Sequence, residues 1–123
     1  QEGISAKDAI LTLIGKLGAD GANYQALEFG GSGVEGLDME SRLTMANMAV
    51  ESGAKCGLFP SDEITRAYLE NQGRGEAYVP VTPDEDAVYA RVVAVDLDTI
   101  VPQVACPHTV DNVFPVDAPE VPK

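Results

Sequence analysis

Residues 38–54 carry a helical pattern whose second half is mostly apolar, and this pattern constrains the fold more than any other segment. Four apolar side chains recur at steps of four and three residues and therefore share one side of the predicted helix: Met39, Leu43, Ala46 and Val50. Asn47 and Glu51 lie four residues apart and share a flank. Because a carboxylate on a buried helix is costly unless it is paired, we expect Glu51 to have a partner. The alternative is that Glu51 reaches solvent or a nearby lysine or arginine.

The composition indicates a single acidic domain. The chain has 123 residues, of which 45% are hydrophobic, which is enough for a core but small for a complete enzyme. Its formal net charge of −12 argues against binding to a nucleic-acid backbone. No apolar run approaches the length of a bilayer span, and residues 1–8 show no basic stretch followed by an apolar one. We therefore expect no membrane partner, no nucleic-acid partner and no signal peptide.

The residues that commonly bind metals are few. Cys56 falls in a predicted core strand and Cys106 stands beside a proline, and we interpret both as free thiols, which suits a reducing cytoplasm. His108 is the only histidine, so Cys106 and His108 together provide two ligands too few for a structural zinc. We expect His108 to be a surface loop residue and predict no metal site within this chain.

Helix and strand signals alternate along the chain, which predicts an α/β domain with a layered sheet covered by helices. Ser5 and Asp8 form a capping-box-like start to a first helix, and Gly18 is placed to end it. Residues 23–29 predict a strand. Asp38 is placed to cap the helix that carries Asn47 and Glu51.

The second half of the chain predicts a helix, a strand and a tail. Ser61 is the expected cap of a helix that Gly73 follows. Residues 87–97 are rich in β-branched side chains and make the strongest strand prediction of the chain. Prolines punctuate residues 105–123 and predict an extended tail or linker, so the α/β domain is expected to cover residues 1–104.

Residues 31–36 match the dinucleotide-binding pattern G-x-G-x-x-G, after a predicted strand and before a predicted helix. In a dinucleotide site the helix begins inside the pattern, whereas Asp38 places the helix start after the last glycine. Glu35 adds a negative charge where phosphate would lie. We interpret the segment as a glycine turn, with nucleotide binding through residues 31–36 as the alternative.

Motifs along nearly the whole chain identify a resemblance to a known family. In chain order they are SAKD (5–8), DGANY (20–24), LEFGG (27–31), SRLT (41–44), NMAVESGAK (47–55), FPSDE (59–63) and VPQV (101–104). With these motifs the chain resembles an internal part of the aconitase superfamily, most closely the large subunit of isopropylmalate dehydratase or homoaconitase.

The resemblance implies a hydro-lyase that isomerises a hydroxy-polycarboxylate, of the isopropylmalate or homoaconitate/homocitrate type, by dehydration and rehydration at a 4Fe–4S cluster. It implies that Asn47 hydrogen-bonds near the cluster and that Glu51 pairs with an active-site histidine from outside this chain. The family's Asp-Ser-His-Thr motif and its cluster cysteines are absent, and Cys56 and Cys106 match neither cysteine setting. We therefore expect one domain of a larger multi-domain subunit, inactive alone and without a cluster of its own.

Two classes of function remain open at this point. In the first, Asn47 and Glu51 contribute to a site assembled with neighbouring domains of the same subunit and with a small subunit or swivelling domain. In the second, the chain is a stand-alone binding or interaction module that holds a nucleotide at residues 31–36.

Overall fold

The computed structural model of the chain describes residues 3–122. Gln1 and Glu2, part of the stretch searched for a signal peptide, and Lys123, the end of the predicted tail, lie outside the described residues. The elements are α1 (Ala6–Leu17), β1 (Leu27–Glu28), α2 (Ser32–Glu35), α3 (Met39–Met48), β2 (Gly57–Leu58), α4 (Glu63–Asn71), β3 (Gln103–Ala105) and β4 (Val113–Pro115), with 3₁₀ turns at Ala49–Ser52, Gly75–Ala77 and Leu97–Thr99. No helix within residues 3–122 is long and apolar enough to cross a membrane.

Helix α1 begins at the predicted capping box. One oxygen of the Asp8 carboxylate accepts hydrogen bonds from the Ser5 backbone N–H (2.8 Å) and the Ser5 hydroxyl (2.7 Å). The other oxygen accepts a hydrogen bond from the Gln103 backbone N–H at 2.7 Å, which ties the start of α1 to β3. Partial burial disfavours the ionised form of Asp8, but the hydrogen bonds from Gln103 and Ser5 outweigh it and lower the pKa. Gly18, with a φ of 84°, ends the helix as predicted.

The chain mixes helices with strands, as predicted, and the strands form two separate two-stranded sheets. In the first sheet β1 and β2 run parallel, with Leu27 opposite Gly57. In the second sheet β3 and β4 run antiparallel, with Val104 opposite Phe114. The first sheet packs beside α3 and the second beside α1, so the two helices lie between the sheets and share one core.

The core lies where α1 meets α3. Ile10 and Ile14, one helical turn apart, are completely buried, and Met45 of α3 packs against them. Leu27 of β1 and Phe29, the residue after the strand, pack against the same core. This arrangement fixes α3 and the chain that follows it, where Asn47 and Glu51 lie.

Residues 87–97 do not form the predicted strand. They are irregular, and Val88 and Val92 are 95% and 81% exposed. A strand needs a neighbour for its ladder hydrogen bonds, and none of the strands in the described part of the chain pairs with this segment. Its β-branched residues therefore suit a strand within a sheet, but the described part of the chain offers no strand for it to pair with.

The strand predicted over residues 23–29 is shortened to β1, because the residues before Gln25 form turns instead. Cys56 precedes β2 and is exposed, so it does not lie in a core strand. Cys106 is a free, buried thiol, and His108 is exposed, as expected.

The predicted cap of α4 is off by one residue. Asp62, rather than Ser61, is the N-cap, and its Oδ1 accepts hydrogen bonds from the backbone N–H groups of Ile64 (3.1 Å) and Thr65 (3.3 Å). Ser61 instead pairs with Val81 in an isolated antiparallel bridge. Since both residues are good caps, the backbone pairing of Ser61 decides between them.

The segment predicted as a proline-rich tail, residues 105–123, carries strand β4. Val110 packs against the core, and the Asp111 carboxylate accepts a hydrogen bond from the Ala19 N–H at 2.9 Å. The prolines are compatible with this hairpin because a two-stranded sheet leaves one edge of each strand without ladder partners. A packed hairpin therefore replaces the predicted extended chain up to Pro115.

The guanidinium of Arg42, a residue only 2% exposed, binds four residues, which lie in the stretches 34–37 and 60–62. Nε donates to the Leu37 carbonyl and Nη2 to the Val34 carbonyl, each at 3.1 Å. Nη1 donates to the Pro60 carbonyl at 3.3 Å. The two terminal nitrogens also bind both oxygens of Asp62, at 2.9 and 2.8 Å. Every guanidinium nitrogen thus has a partner, which offsets the loss of water around a buried charge.

We predict that Asp62→Asn lowers the free energy of unfolding at pH 7 by about 3 kcal/mol, because it leaves the Arg42 guanidinium without its counter-charge. The hydrogen bonds from Arg42 lower the pKa of Asp62 below its ordinary 3.8, although partial burial opposes this. The stabilisation from this pair is therefore complete above pH 3.8 and is lost as the pH falls through the lowered pKa, so the difference between variant and wild type should shrink there. Denaturant unfolding followed by circular dichroism across this pH range measures it.

Glu63→Gln is the matched control, since Glu63 is exposed and only touches the exposed Arg66 at 3.7 Å. Its effect should stay below about 1 kcal/mol. Equal effects of the two substitutions at pH 7 would contradict the role given to Asp62.

Candidate functional site

Asn47 and Glu51 lie together where α3 ends. The α-helix begins after Asp38, whose carboxylate accepts a hydrogen bond from the Ser41 N–H at 2.8 Å, and stops at Met48. The tighter 3₁₀ turn Ala49–Ser52 follows, and it turns Glu51 roughly 40° further around the axis than an α-helix would. The two side chains therefore stand at one end of the helix, on either side of this change of helix type.

Both side chains are exposed, and neither makes a hydrogen bond or ion pair with any residue in 3–122. The predicted buried stripe is wrong, because Leu43 and Val50 are 49% and 56% exposed. The residues of this segment that face the core are spaced three and four apart in a neighbouring register, and they are Arg42, Met45 and Ala49. Glu51 therefore reaches solvent and has no partner within the described chain.

A second turn of the chain holds this end of α3 in place. The Ala22 N–H donates a hydrogen bond to the Ser52 carbonyl at 2.9 Å, and the buried Ser52 hydroxyl donates to the Ala49 carbonyl at 2.7 Å. Ala22, Ala49 and Ala54 form a small buried cluster between the two turns. Because these side chains are small, the backbones of the two turns approach closely. This packing holds the turn that carries Glu51 in position.

Gly53 ends the 3₁₀ turn in the left-handed region, with a φ of 82°. A Cβ atom at this position would lie 1.9 Å from the Asn23 Oδ1 atom and 3.3 Å from the Ala19 carbonyl oxygen. Tyr24, the residue after Asn23, has a φ of 60° and is 89% exposed. The Lys55 Nζ atom lies 5.3 Å from the centre of the Tyr24 ring. An aromatic ring and a cation therefore stand on the two turns that meet at Gly53.

The residues that could bind a metal are not brought together. Cys56 is exposed beside β2, whereas Cys106 is buried beyond β3. Throughout residues 3–122, no three histidine, cysteine, aspartate or glutamate side chains lie close enough to hold a metal ion. The donor set of this chain does not fit an iron–sulfur cluster, which takes about four thiolate or equivalent ligands.

The glycine loop of residues 31–36 contains one turn of helix, α2, where a plain turn was predicted. A Cβ atom on Gly33 would lie 2.8 Å from the Leu97 Cδ1 atom. In a dinucleotide site the corresponding glycine lets the backbone approach a pyrophosphate, whereas here the second glycine makes room for a leucine side chain. Helix α2 begins inside the pattern, as the helix of a dinucleotide site does, but it is only four residues long. Nucleotide binding through residues 31–36 stays an alternative.

Sequence reasoning missed two residues that position the site, Arg42 and Gly53. Arg42 lies three and seven residues before Met45 and Ala49, so the register of the small and apolar residues could have placed it on the buried side. Gly53 follows the last apolar residues of the helical pattern, which is the usual position of a helix-ending glycine.

The model of the aconitase family (aconitate hydratase) matches residues 1–122. The chain belongs to the aconitase family, and the resemblance inferred from its motifs is confirmed.

Three similar proteins are described as large subunits of 3-isopropylmalate dehydratase. The chain is 54% identical over 112 residues, 91% of its length, to the 3-isopropylmalate dehydratase large subunit of Elusimicrobium minutum. It is 51% identical over 98% of its length to 3-isopropylmalate dehydratase large subunit 1 of Thermotoga maritima. It is 51% identical over 97% of its length to large subunit 2 of Archaeoglobus fulgidus. The matched regions cover 27 to 29% of these three relatives, so the chain spans less than a third of their length.

We predict that Gly53→Ala lowers the free energy of unfolding by about 3 kcal/mol, because the new methyl group meets Asn23 and Ala19 and the left-handed backbone disfavours a side chain. Gly73→Ala is the matched control, since Gly73 also has a positive φ of 67° but has no atom within 4 Å of the added Cβ. It should cost only about 1 kcal/mol. Thermal and denaturant unfolding measure both, and similar losses would show that packing against the Asn23 turn does not matter.

Proposed function

We propose that the chain is one domain of the large subunit of an iron–sulfur hydro-lyase of the 3-isopropylmalate dehydratase type. Such an enzyme isomerises a hydroxy-polycarboxylate by removing water and adding it back. The observation that carries the proposal is the identity of about 50%, over more than nine-tenths of the chain, to large subunits described as 3-isopropylmalate dehydratase. Membership of the aconitase family agrees with it.

In this proposal Glu51 is a positioning residue for a histidine that lies outside the chain. Glu51 is exposed and unpaired among the described residues, and it stands on a turn held by the Ala22 hydrogen bond and by Gly53. His108, the chain's own histidine, lies in an exposed loop beyond β3. A carboxylate beside an imidazole accepts a hydrogen bond from one ring nitrogen, which fixes the orientation of the ring and stabilises its protonated form.

Asn47 contributes an amide on the same end of α3. Its side chain carries both a donor and an acceptor and is free to reach a neighbouring group. We infer that Asn47 hydrogen-bonds near the cluster of the assembled enzyme. The ligands of that cluster would come from outside this chain, because Cys56 and Cys106 are too few and too differently placed.

The proposed function has a consequence for this chain on its own. The chain should fold, but it should have no enzyme activity. Neighbouring domains of the same subunit, and a small subunit or swivelling domain, would supply the histidine, the cluster and the remaining substrate contacts. Substrate would then meet Asn47 and Glu51 only in the assembled enzyme.

We predict that anaerobic incubation of the 123-residue chain with iron and sulfide yields no stable iron–sulfur absorption band, because its two cysteines cannot supply the ligand set. Visible absorption and iron content after gel filtration measure this. A band that persists in the wild-type chain and disappears in a Cys56→Ser/Cys106→Ser variant would contradict the expectation.

We predict that Glu51→Gln in the intact enzyme lowers kcat by about two to four orders of magnitude, the range associated with a correctly positioned acid or base. Glutamine keeps the volume of the side chain and removes its charge, so the histidine loses its oriented counter-charge. Turnover should be compared at equal cluster content. Without the carboxylate the imidazolium is less stable and the pKa of the histidine falls, so the limb of the pH profile of kcat that belongs to the histidine should move to lower pH.

Glu40→Gln is the matched control, because Glu40 is an exposed glutamate in the first turn of the same helix and far along it from Glu51. It should leave turnover and the pH profile unchanged. Turnover of Glu51→Gln equal to that of Glu40→Gln would remove Glu51 from the active site and return it to an ordinary solvated carboxylate.

A further inference from the structure

A large cleft lies beside β1, and neither residue of β2 is part of its lining. It encloses about 950 Å³ between α1, the segment 25–34 and the segment 89–95. Its walls are mainly apolar, and they include Leu13, Leu27 and Phe29 on one side and Val92, Val93 and Val95 on the other. We call this cavity the β1 cleft. A cavity of this size with apolar walls is too large to be a packing defect in a domain of 123 residues.

The backbone of β1 is open along this cleft. The N–H groups of Leu27 and Phe29 donate to the carbonyls of Cys56 and Leu58, so both residues direct their backbone groups toward β2. Alternate residues of a strand direct these groups to opposite edges, so the N–H and C=O of Glu28 point away from β2. β1 has no second neighbour in the sheets of the described chain. An open strand edge above an apolar cavity is a template for another strand.

The far wall of the cleft has the composition of a strand but lacks a partner. Residues 87–95 are irregular, with Val88 and Val92 the most exposed of their valines. Two polar contacts tether the segment: the Tyr89 hydroxyl donates a hydrogen bond to the Glu28 carboxylate, and the Lys16 ammonium donates to the Ala94 carbonyl at 3.4 Å. The hydrogen bond to Glu28 raises the pKa of Tyr89. These contacts hold the segment opposite β1 without closing the cleft.

We propose that the β1 cleft is the docking site for an extended, apolar segment from the remainder of the large subunit, which adds as a strand to the open edge of β1 and packs against residues 87–95. The inference rests on the proposed function in one respect, namely that this chain works within a longer subunit. More than two thirds of each relative lies outside the matched region, which provides ample chain for the occupant. A second copy of this chain is disfavoured, because two chains of net charge −12 repel each other.

The test places this chain in a full-length subunit. Residues 3–122 replace the matched 120-residue stretch of the Thermotoga maritima large subunit 1, and backbone hydrogen exchange is compared between this chimera and the 123-residue chain. Peptides covering residues 25–33 and 87–96 should exchange roughly tenfold or more slowly in the chimera, because the added strand gives the open edge of β1 ladder partners and covers residues 87–96. Peptides from β4, which already has its partner, serve as the internal reference.

Val92→Asp should abolish the slower exchange, since it places a charge in the cleft at a site exposed in the separate chain. Val116→Asp is the matched control, because Val116 is also exposed but lies outside the cleft lining, and it should leave exchange unchanged. Equal exchange rates in a folded chimera and in the separate chain would overturn the proposal.

A second measurement serves if the chimera does not fold. Overlapping fluorescent peptides that tile the Thermotoga subunit outside the match are titrated with the 123-residue chain. At least one apolar peptide should bind saturably, and Val92→Asp should weaken it by roughly tenfold while Val116→Asp does not. If no peptide binds, the proposal is contradicted. If the chain instead forms a dimer that Val92→Asp dissociates, the occupant of the cleft is a second copy of the chain. None of these measurements depends on turnover. The docking proposal and the proposed role of Glu51 can therefore be contradicted independently of each other.

Discussion

The buried guanidinium of Arg42 is the interaction on which the rest of the domain depends. A charge at this depth is tolerated only when every donor has an acceptor, so the segments that carry those acceptors are fixed in relation to one another. The acceptors lie before α3, after β2 and at the cap of α4, and the Phe59 ring adds a face 6.0 Å from the guanidinium carbon. Phe59 in turn stacks on Phe29 at 4.6 Å, which extends the contact to the end of β1. One side chain thereby couples both strands of the parallel sheet to two helices.

This coupling explains how an exposed pair such as Asn47 and Glu51 can occupy a defined position. Arg42 anchors the start of α3, and the contact between Gly53 and the Asn23 turn anchors its end. Between the anchors, Met45 and Ala49 bury one side of the helix, which leaves the other side in solvent without allowing it to move freely. A site shared between domains needs such support, because its geometry must be in place before the partner groups arrive.

Local signals predicted the local structure, whereas contacts between distant residues decided the rest. The carboxylates of Asp8 and Asp38 accept hydrogen bonds from backbone N–H groups three residues away at the starts of α1 and α3, and both residues could be identified from the sequence. The stripe through Leu43 and Val50 was wrong because the choice between two apolar registers depended on Arg42 finding Asp62, twenty positions further on. Of the candidate site, the sequence pattern put Asn47 and Glu51 on the helical segment after Asp38, but it could not show that both would be exposed. That outcome depends on which side of α3 meets α1.

The failure of the strand prediction for residues 87–97 has a different cause. β-propensity describes how well a residue fits a pleated and half-buried surface, so it indicates an environment as much as a conformation. Val88 and Val92 suit that environment, yet in this chain both face solvent, and Val92 lines the β1 cleft. A sequence that satisfies all local rules and still leaves apolar side chains exposed is consistent with a surface that is completed by another segment. The same reasoning applies to Glu51, a carboxylate whose partner is not found among residues 3–122. One mismatch lies next to β1 and the other at the end of α3, and the proposed function assigns both to contacts with the rest of a longer subunit.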